Sequence, residues 1–207
     1  MTIDAAIAKL RSFESEHTQV GLEFLQADNN AIYPLDILMA AALKRSMCLL
    51  DAFCDLIEKR NFVAAAPLIR LQLDSVLRLH AASSVPDPHQ FSTDVLAGKH
   101  IRNMKDRHGK RMTDQYLLDR ISHKHPRIAK AYSHLSGYIH LSDKHIFNVL
   151  KLEGGDGKFS MHIGPTDTYI SDDIYLEAII AFHGITQILF GYFRGWAVTK
   201  AAKARKA

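Results

Sequence analysis

Residues 178–193 form a run of sixteen without a single Asp, Glu, Lys or Arg. Ser171-Asp-Asp precedes the run and Lys200 and Lys203 follow it, so acids stand at the N-terminus of a long helix and bases at its C-terminus. A helix that is apolar nearly all round has to be surrounded, whether by other helices, by a second copy of the chain or by lipid. The run falls short of the roughly 20 residues that cross a bilayer. His183 and Gln187 interrupt it, and Glu177 and Arg194 bracket it closely. Gly191 and Gly195 do form the Gly-x-x-x-Gly spacing known from membrane helices. Length decides for the central helix of a bundle or dimer, with no membrane partner.

The rest of the chain supplies helices to surround it. Ile3, Ile7, Leu10, Phe13, Val20, Phe24 and Leu25 recur at helical spacing over 2–28. Asp28-Asn-Asn is a stop, and Pro34 opens a second helix running to about residue 60. Asn61 caps a third helix reaching about residue 82, with Pro67 inside it, and Val85-Pro-Asp-Pro breaks the chain. A short helix follows over 89–96, and residues 98–111, which contain Gly109, have no clean period and are expected to form a loop or broken helix. Two more short helices are predicted over 113–122 and 127–138, separated at Pro126. Alternating residues around Glu153-Gly-Gly-Asp-Gly predict a β-hairpin over 146–163.

The expected fold is therefore all-α in the main, a bundle of about five to seven helices with one small hairpin. With 207 residues, 47% hydrophobic and 23% charged, the chain can bury one core and is not disordered. One domain over 1–207 is expected, ending in a basic, frayed tail over 199–207. Met1-Thr-Ile-Asp-Ala-Ala lacks a basic stretch followed by an apolar run, so no secretory signal is predicted there. Cys48 and Cys54 lie six apart on one helix, point to different faces and cannot bridge. A cytoplasmic location is the simplest expectation.

The net charge of +4 is unevenly spread. Residues 99–130 hold ten Lys and Arg against Asp106, Asp114 and Asp119, a local excess of +7, and the last eight residues add four more cations. Such asymmetry points to an anionic partner, or to a basic face meeting an acidic one in a homo-oligomer.

Three groups of residues could carry chemistry. Seven of the twelve histidines fall between His100 and His145, most densely in Tyr132-Ser-His-Leu-Ser-Gly-Tyr-Ile-His-Leu-Ser-Asp-Lys-His. His140 and His145 are five apart, not the three or four that share a helical face, so they would hold a metal only across a turn or with help from elsewhere. Arg70, Asp74 and Arg78 follow at i, i+4 and i+8 on one face. Arg70 borders the apolar stripe and needs a partner, for which Asp74 is nearest; the pair would either fix helix register or orient an anion. Finally, Arg102-Asn-Met-Lys-Asp-Arg-His108 sets an arginine and a histidine six apart in the basic segment.

That last pattern resembles the Arg, polar residue, three to five residues, His motif of the HEPN ribonucleases, which are helical bundles. The resemblance implies metal-independent RNA cleavage in a dimer cleft. A histidine would take the 2′-hydroxyl proton and an arginine would stabilise charge on the phosphate. More broadly, the order Ala-Pro-Leu-Ile-Arg70, Gly98-Lys99 with Lys105-Asp, Thr113-Asp and Tyr138-Ile-His140-Leu-Ser142-Asp-Lys-His145-Ile resembles a group of bacterial helical proteins without an assigned activity. It implies a helical fold and draws attention to Arg70, His140, Ser142 and His145.

The leading expectation is a homodimeric helical protein that binds RNA or another anionic ligand, with no cofactor. The candidate catalytic residues are His140, His145, Arg70, Arg102 and His108. Asp74, Lys99, Lys105 and Ser142 are candidate binding residues. A non-catalytic interaction module and a metal site at His140 and His145 stand as alternatives.

Overall fold

A computed structural model describes residues 1–129, 132, 138, 142–153 and 158–204. The chain is mainly helical with one small antiparallel hairpin. The first expected helix is two, α1 (Ile3–Arg11) and α2 (Phe13–Gln26). Ser12 separates them. Its hydroxyl donates to the Lys9 carbonyl at 2.7 Å, competing with the helical ladder at that point. Asp28, Asn29 and Asn30 then take φ of 55°, 51° and 62°, a left-handed turn these short polar side chains tolerate.

Pro34 opens α3 (Pro34–Glu58), where Asp36 accepts from the Tyr33 N–H at 2.7 Å. Asn61 caps α4 (Phe62–Ser84) as expected, its side chain accepting from Ala64 N–H at 3.1 Å. There follow α5 (Pro88–Leu96), a 3₁₀ turn at Ile101–Asn103, α6 (Asp114–Ser122) and α7 (Asp143–Val149). Strands β1 (Leu150–Glu153) and β2 (Lys158–Met161) pair in register Leu150↔Met161, and α8 (Asp172–Ala204) ends the described chain. The hairpin is thus shorter than its sequence suggested, because residues 146–149 are helical. There the His145 ring accepts from the Ser142 N–H at 3.3 Å, closing a helix start that outweighs the β-branched pattern. The helix expected over 127–138 falls largely outside the described residues.

The uncharged run forms the middle of α8, which packs against α1, α2 and α4 while α3 packs on α4 and α5. By length and composition α8 could also cross a membrane. Here its rings meet those of the bundle: Phe182 stacks on Phe53 at 4.5 Å, Phe190 lies edge-on to Phe13 at 5.3 Å, and Tyr175 edge-on to Phe62 at 5.2 Å. Cys54 is buried and Cys48 exposed, and burial pushes the Cys54 thiol up to about 11. The hairpin is packed differently. Leu152, Phe159 and Met161 are all exposed, as is Ile163 just beyond them.

Two polar groups are buried within this apolar packing. The first is a chain of hydrogen bonds with one side chain from each of four helices. His17 Nδ1 donates to the Phe13 carbonyl at 2.7 Å, which leaves Nε2 to accept from the Ser46 hydroxyl at 2.8 Å. Gln72 Nε2 donates to Ser46 Oγ at 2.6 Å and to Thr186 Oγ1 at 3.0 Å. Thr186 donates on to the Phe182 carbonyl at 2.9 Å. The second is an ion pair, Lys200 Nζ to Asp36 Oδ2 at 2.9 Å, at side-chain exposures of 0% and 1%. Lys200 also donates to the Phe24 carbonyl at 2.9 Å, and Trp196 Nε1 to Asp36 Oδ1 at 2.6 Å. Part of the expected frayed tail is therefore helical through Ala204, and it is anchored by a buried lysine.

Burial makes the fold sensitive to acid. It lowers the pKa of His17, and also of His80, His89 and His183. In the unfolded chain these histidines titrate near ~6.5, so below that pH the unfolded state binds more protons than the folded one. Stability is expected to be full above that range and to fall as pH drops below about 6.5, by up to ~1.4 kcal/mol per pH unit for each histidine that stays neutral in the fold. Urea unfolding at a series of pH values checks this. A flat profile between about pH 7 and 5 would contradict the neutral, hydrogen-bonded His17.

Candidate anion-binding pocket

The loop after α5 is built by short-range rules. Gly98 takes φ 86°, its N–H donates to the Val95 carbonyl at 2.9 Å and the Lys99 N–H donates to Asp94 O at 3.0 Å. This is a Schellman stop, which a side chain at position 98 would strain. It sends Lys99, His100, Ile101 and Arg102 across to meet α4 and the start of α6. The return is held by Asp106, whose Oδ1 accepts from the N–H groups of His108 and Lys110 at 2.9 Å each. Its Oδ2 accepts from the Tyr116 hydroxyl at 2.6 Å. Thr113 caps α6 by accepting from Tyr116 N–H at 3.3 Å.

Between these elements lies a pocket of ≈ 680 Å³ lined by Arg78, Lys99, His100, Ile101, Arg102, Thr113 and Asp114. Three permanent cations converge there from two separate stretches of chain, with Asp114 as the one lining carboxylate. Lys99 Nζ bonds Asp94 Oδ1 at 2.9 Å across an exposed surface. Arg102 is exposed and makes no hydrogen bond or ion pair among the described residues. A second pocket, ≈ 530 Å³ between α2 and α3, sets Lys44 against Glu14 and Asp51 and has no comparable excess of charge.

Behind the first pocket runs a ladder of ion pairs. Arg45 Nη1 reaches Asp74 Oδ2 at 2.9 Å, and Arg78 Nη2 reaches Asp74 Oδ1 at 2.6 Å and Asp114 Oδ1 at 2.7 Å. Arg70 Nη2 lies 3.4 Å from Asp114 Oδ2 and 3.0 Å from Tyr132 Oη, with its guanidinium 4.1 Å above the Tyr132 ring. Burial opposes ionisation of Asp74, but the hydrogen bond from Arg45 and the charge of Arg78 outweigh it and hold its pKa below the ordinary value. Burial likewise disfavours charge on Arg78, and Asp74 and Asp114 reverse that effect. The expected Arg70–Asp74 pair does not form. Asp74 binds Arg78, the other i+4 neighbour, together with Arg45, while Arg70 turns to Asp114 and Tyr132.

The other sequence candidates are scattered. Arg102 and Lys99 line the pocket, but His108 and Lys105 do not. Arg102 lies in a 3₁₀ turn and His108 in the tight turn before Gly109, so the helix that the ribonuclease motif requires is absent at this place. Lys105 pairs with Arg111 as an isolated bridge within the loop. Ser142 and His145 form the start of α7, with the His145 ring 5.9 Å from that of Tyr138. His140 lies outside the described residues. No group of three or more His, Cys, Asp or Glu suited to a metal occurs among the described residues.

Five pocket residues are not among the candidates read from sequence: Arg78, His100, Ile101, Thr113 and Asp114. Arg78 was visible in the i, i+4, i+8 row, and Asp114 as the acid after a threonine cap. Their convergence was not, because it depends on where the loop after α5 lands. No family model matches this chain, and no curated protein or solved structure matches it either.

Proposed function

We propose that this chain binds a phosphate-bearing polyanion, RNA first among them, with the pocket between α4, the Lys99–Arg102 turn and the N-terminus of α6 as the phosphate subsite. The supporting observation is the convergence on one pocket of Arg78 from α4 with Lys99 and Arg102 from the segment that carries the +7 excess. The first turn of α6 adds backbone N–H groups and the positive end of its dipole at the same wall. Arg102 lacks an internal partner, so it can meet a phosphate without breaking an existing contact.

Binding is the activity that this geometry favours over cleavage. A general base has to come within about 3 Å of the proton it removes, and His108 is not among the pocket residues. His100 is the histidine placed to act if cleavage occurs, so His100→Ala belongs beside the binding variants.

The test is fluorescence anisotropy with a single-stranded RNA oligonucleotide over a range of salt. The logarithm of affinity should fall with the logarithm of salt by about 0.7 for each phosphate neutralised. Lys99→Ala and Arg102→Ala should each weaken binding across sequences and flatten that slope by about 0.7. His108→Ala and His145→Ala should leave both unchanged. Absence of binding at low salt, or equal binding by the Lys99→Ala/Arg102→Ala double variant, would remove this reading.

A further inference from the structure

The ladder behind the pocket contains two carboxylates that look alike in sequence and differ in place. Asp74 is not among the residues lining the pocket, is hydrogen-bonded by Arg45 and Arg78, and is part-buried at 20% side-chain exposure. Asp114 lines the pocket, is 37% exposed, and holds Arg78 by one oxygen at 2.7 Å. Its other oxygen stands 3.4 Å from Arg70, longer than a well-made charged hydrogen bond. A carboxylate and a phosphate make the same demand on a guanidinium, two oxygens toward the N–H edge. Asp114 therefore presents to Arg78 what a ligand phosphate in the pocket would present.

We propose that Asp114 is an internal counter-anion of this pocket, which occupies the pocket side of Arg78 until a ligand phosphate displaces it. The idea rests on the anion-binding reading above and names the regulation of that same site. Release of Asp114 is cheap for the fold. It occupies the first turn of α6, where a negative charge remains favoured by the helix N-terminus after its side chain has swung into solvent. The cap itself belongs to Thr113 and is untouched. Arg78 keeps Asp74 as a counter-ion, and Arg70 keeps the Tyr132 hydroxyl as an acceptor. With Asp114 in place, Arg78 reaches the pocket already held by two carboxylates; with it displaced, Arg78 keeps Asp74 and its second contact passes to the ligand phosphate.

Anisotropy with the same RNA oligonucleotide separates the alternatives. Asp114→Asn keeps the shape and removes the charge, and should tighten binding about tenfold and steepen the salt dependence by about 0.7, one further phosphate contact. Asp114→Ser, which suits a first helical turn, should do the same if the asparagine variant folds poorly by circular dichroism. Asp4→Asn, in the exposed first turn of α1 and outside the pocket, changes net charge equally and should not tighten binding. Binding by the wild-type chain with no gain in either Asp114 variant would overturn the displacement idea and leave the pocket assignment standing. An equal gain in Asp4→Asn would overturn it too, by reducing the effect to overall charge. No binding by wild type or variants would bring down both.

Discussion

Lys200→Met is expected to destabilise the fold by about 3–5 kcal/mol, because it leaves Asp36 ionised in the interior without its cation. Asp36 would keep the N–H groups of Trp196 at 2.6 Å and Tyr33 at 2.7 Å, and these orient the carboxylate without neutralising it. At roughly 2–4 °C per kcal/mol for a chain of this size, the melting temperature should fall on the order of 10 °C. Asp36→Asn should cost a similar amount from the other side, stranding an ammonium whose remaining contacts are the Phe24 carbonyl and the face of the Tyr33 ring, 5.5 Å away. The combined variant Asp36→Asn/Lys200→Met should recover much of the loss, since it leaves neither charge unpaired in the interior. A loss under about 1 kcal/mol in the single variants would mean that water reaches this pair.

Phe182→Ala should cost about 3–5 kcal/mol, as large-to-small changes do where a buried ring cannot be replaced by collapse of its surroundings. Phe182 is fully buried on the central helix and stacks on Phe53. Urea unfolding should show a lower midpoint with an unchanged slope, the mark of a cavity in an otherwise intact fold. The experiment also decides the environment of α8. A ring facing lipid could be removed with little effect on the bundle, whereas the packing described here requires a large one.

The helices were legible wherever local chemistry marks their ends. Asn61, Pro34, Thr113 and Val85-Pro all stand where the structure starts or stops an element. Ser12 was missed because it breaks a helix without being a strong breaker, by a hydroxyl turned onto its own backbone. Residues 146–149 were misread because their β-branched pattern outvoted a histidine acting at the N3 position, where Glu or Gln is the usual signal. The site was less legible, for a physical reason. Arg70 and Asp74 are neighbours on a helix, but charge follows the nearest well-oriented partner in space. Asp114 and Arg45 reach the ladder from 44 and 29 residues away. Local spacing can nominate the arginines; only tertiary packing chooses among the carboxylates.

The central place of α8 has a consequence for how the chain is made. Helices α1, α2 and α4 all rest on a helix that leaves the ribosome after them, and Lys200 closes onto a carbonyl 176 residues earlier. At ~5–20 residues per second, the apolar faces of the early helices wait on the order of ten seconds or more for their partner. During that interval the growing chain has half a core and nothing to close it. It will therefore depend on chaperones more than a bundle assembled from sequential neighbours, and a ribosome stalled before α8 will hold a product that cannot fold.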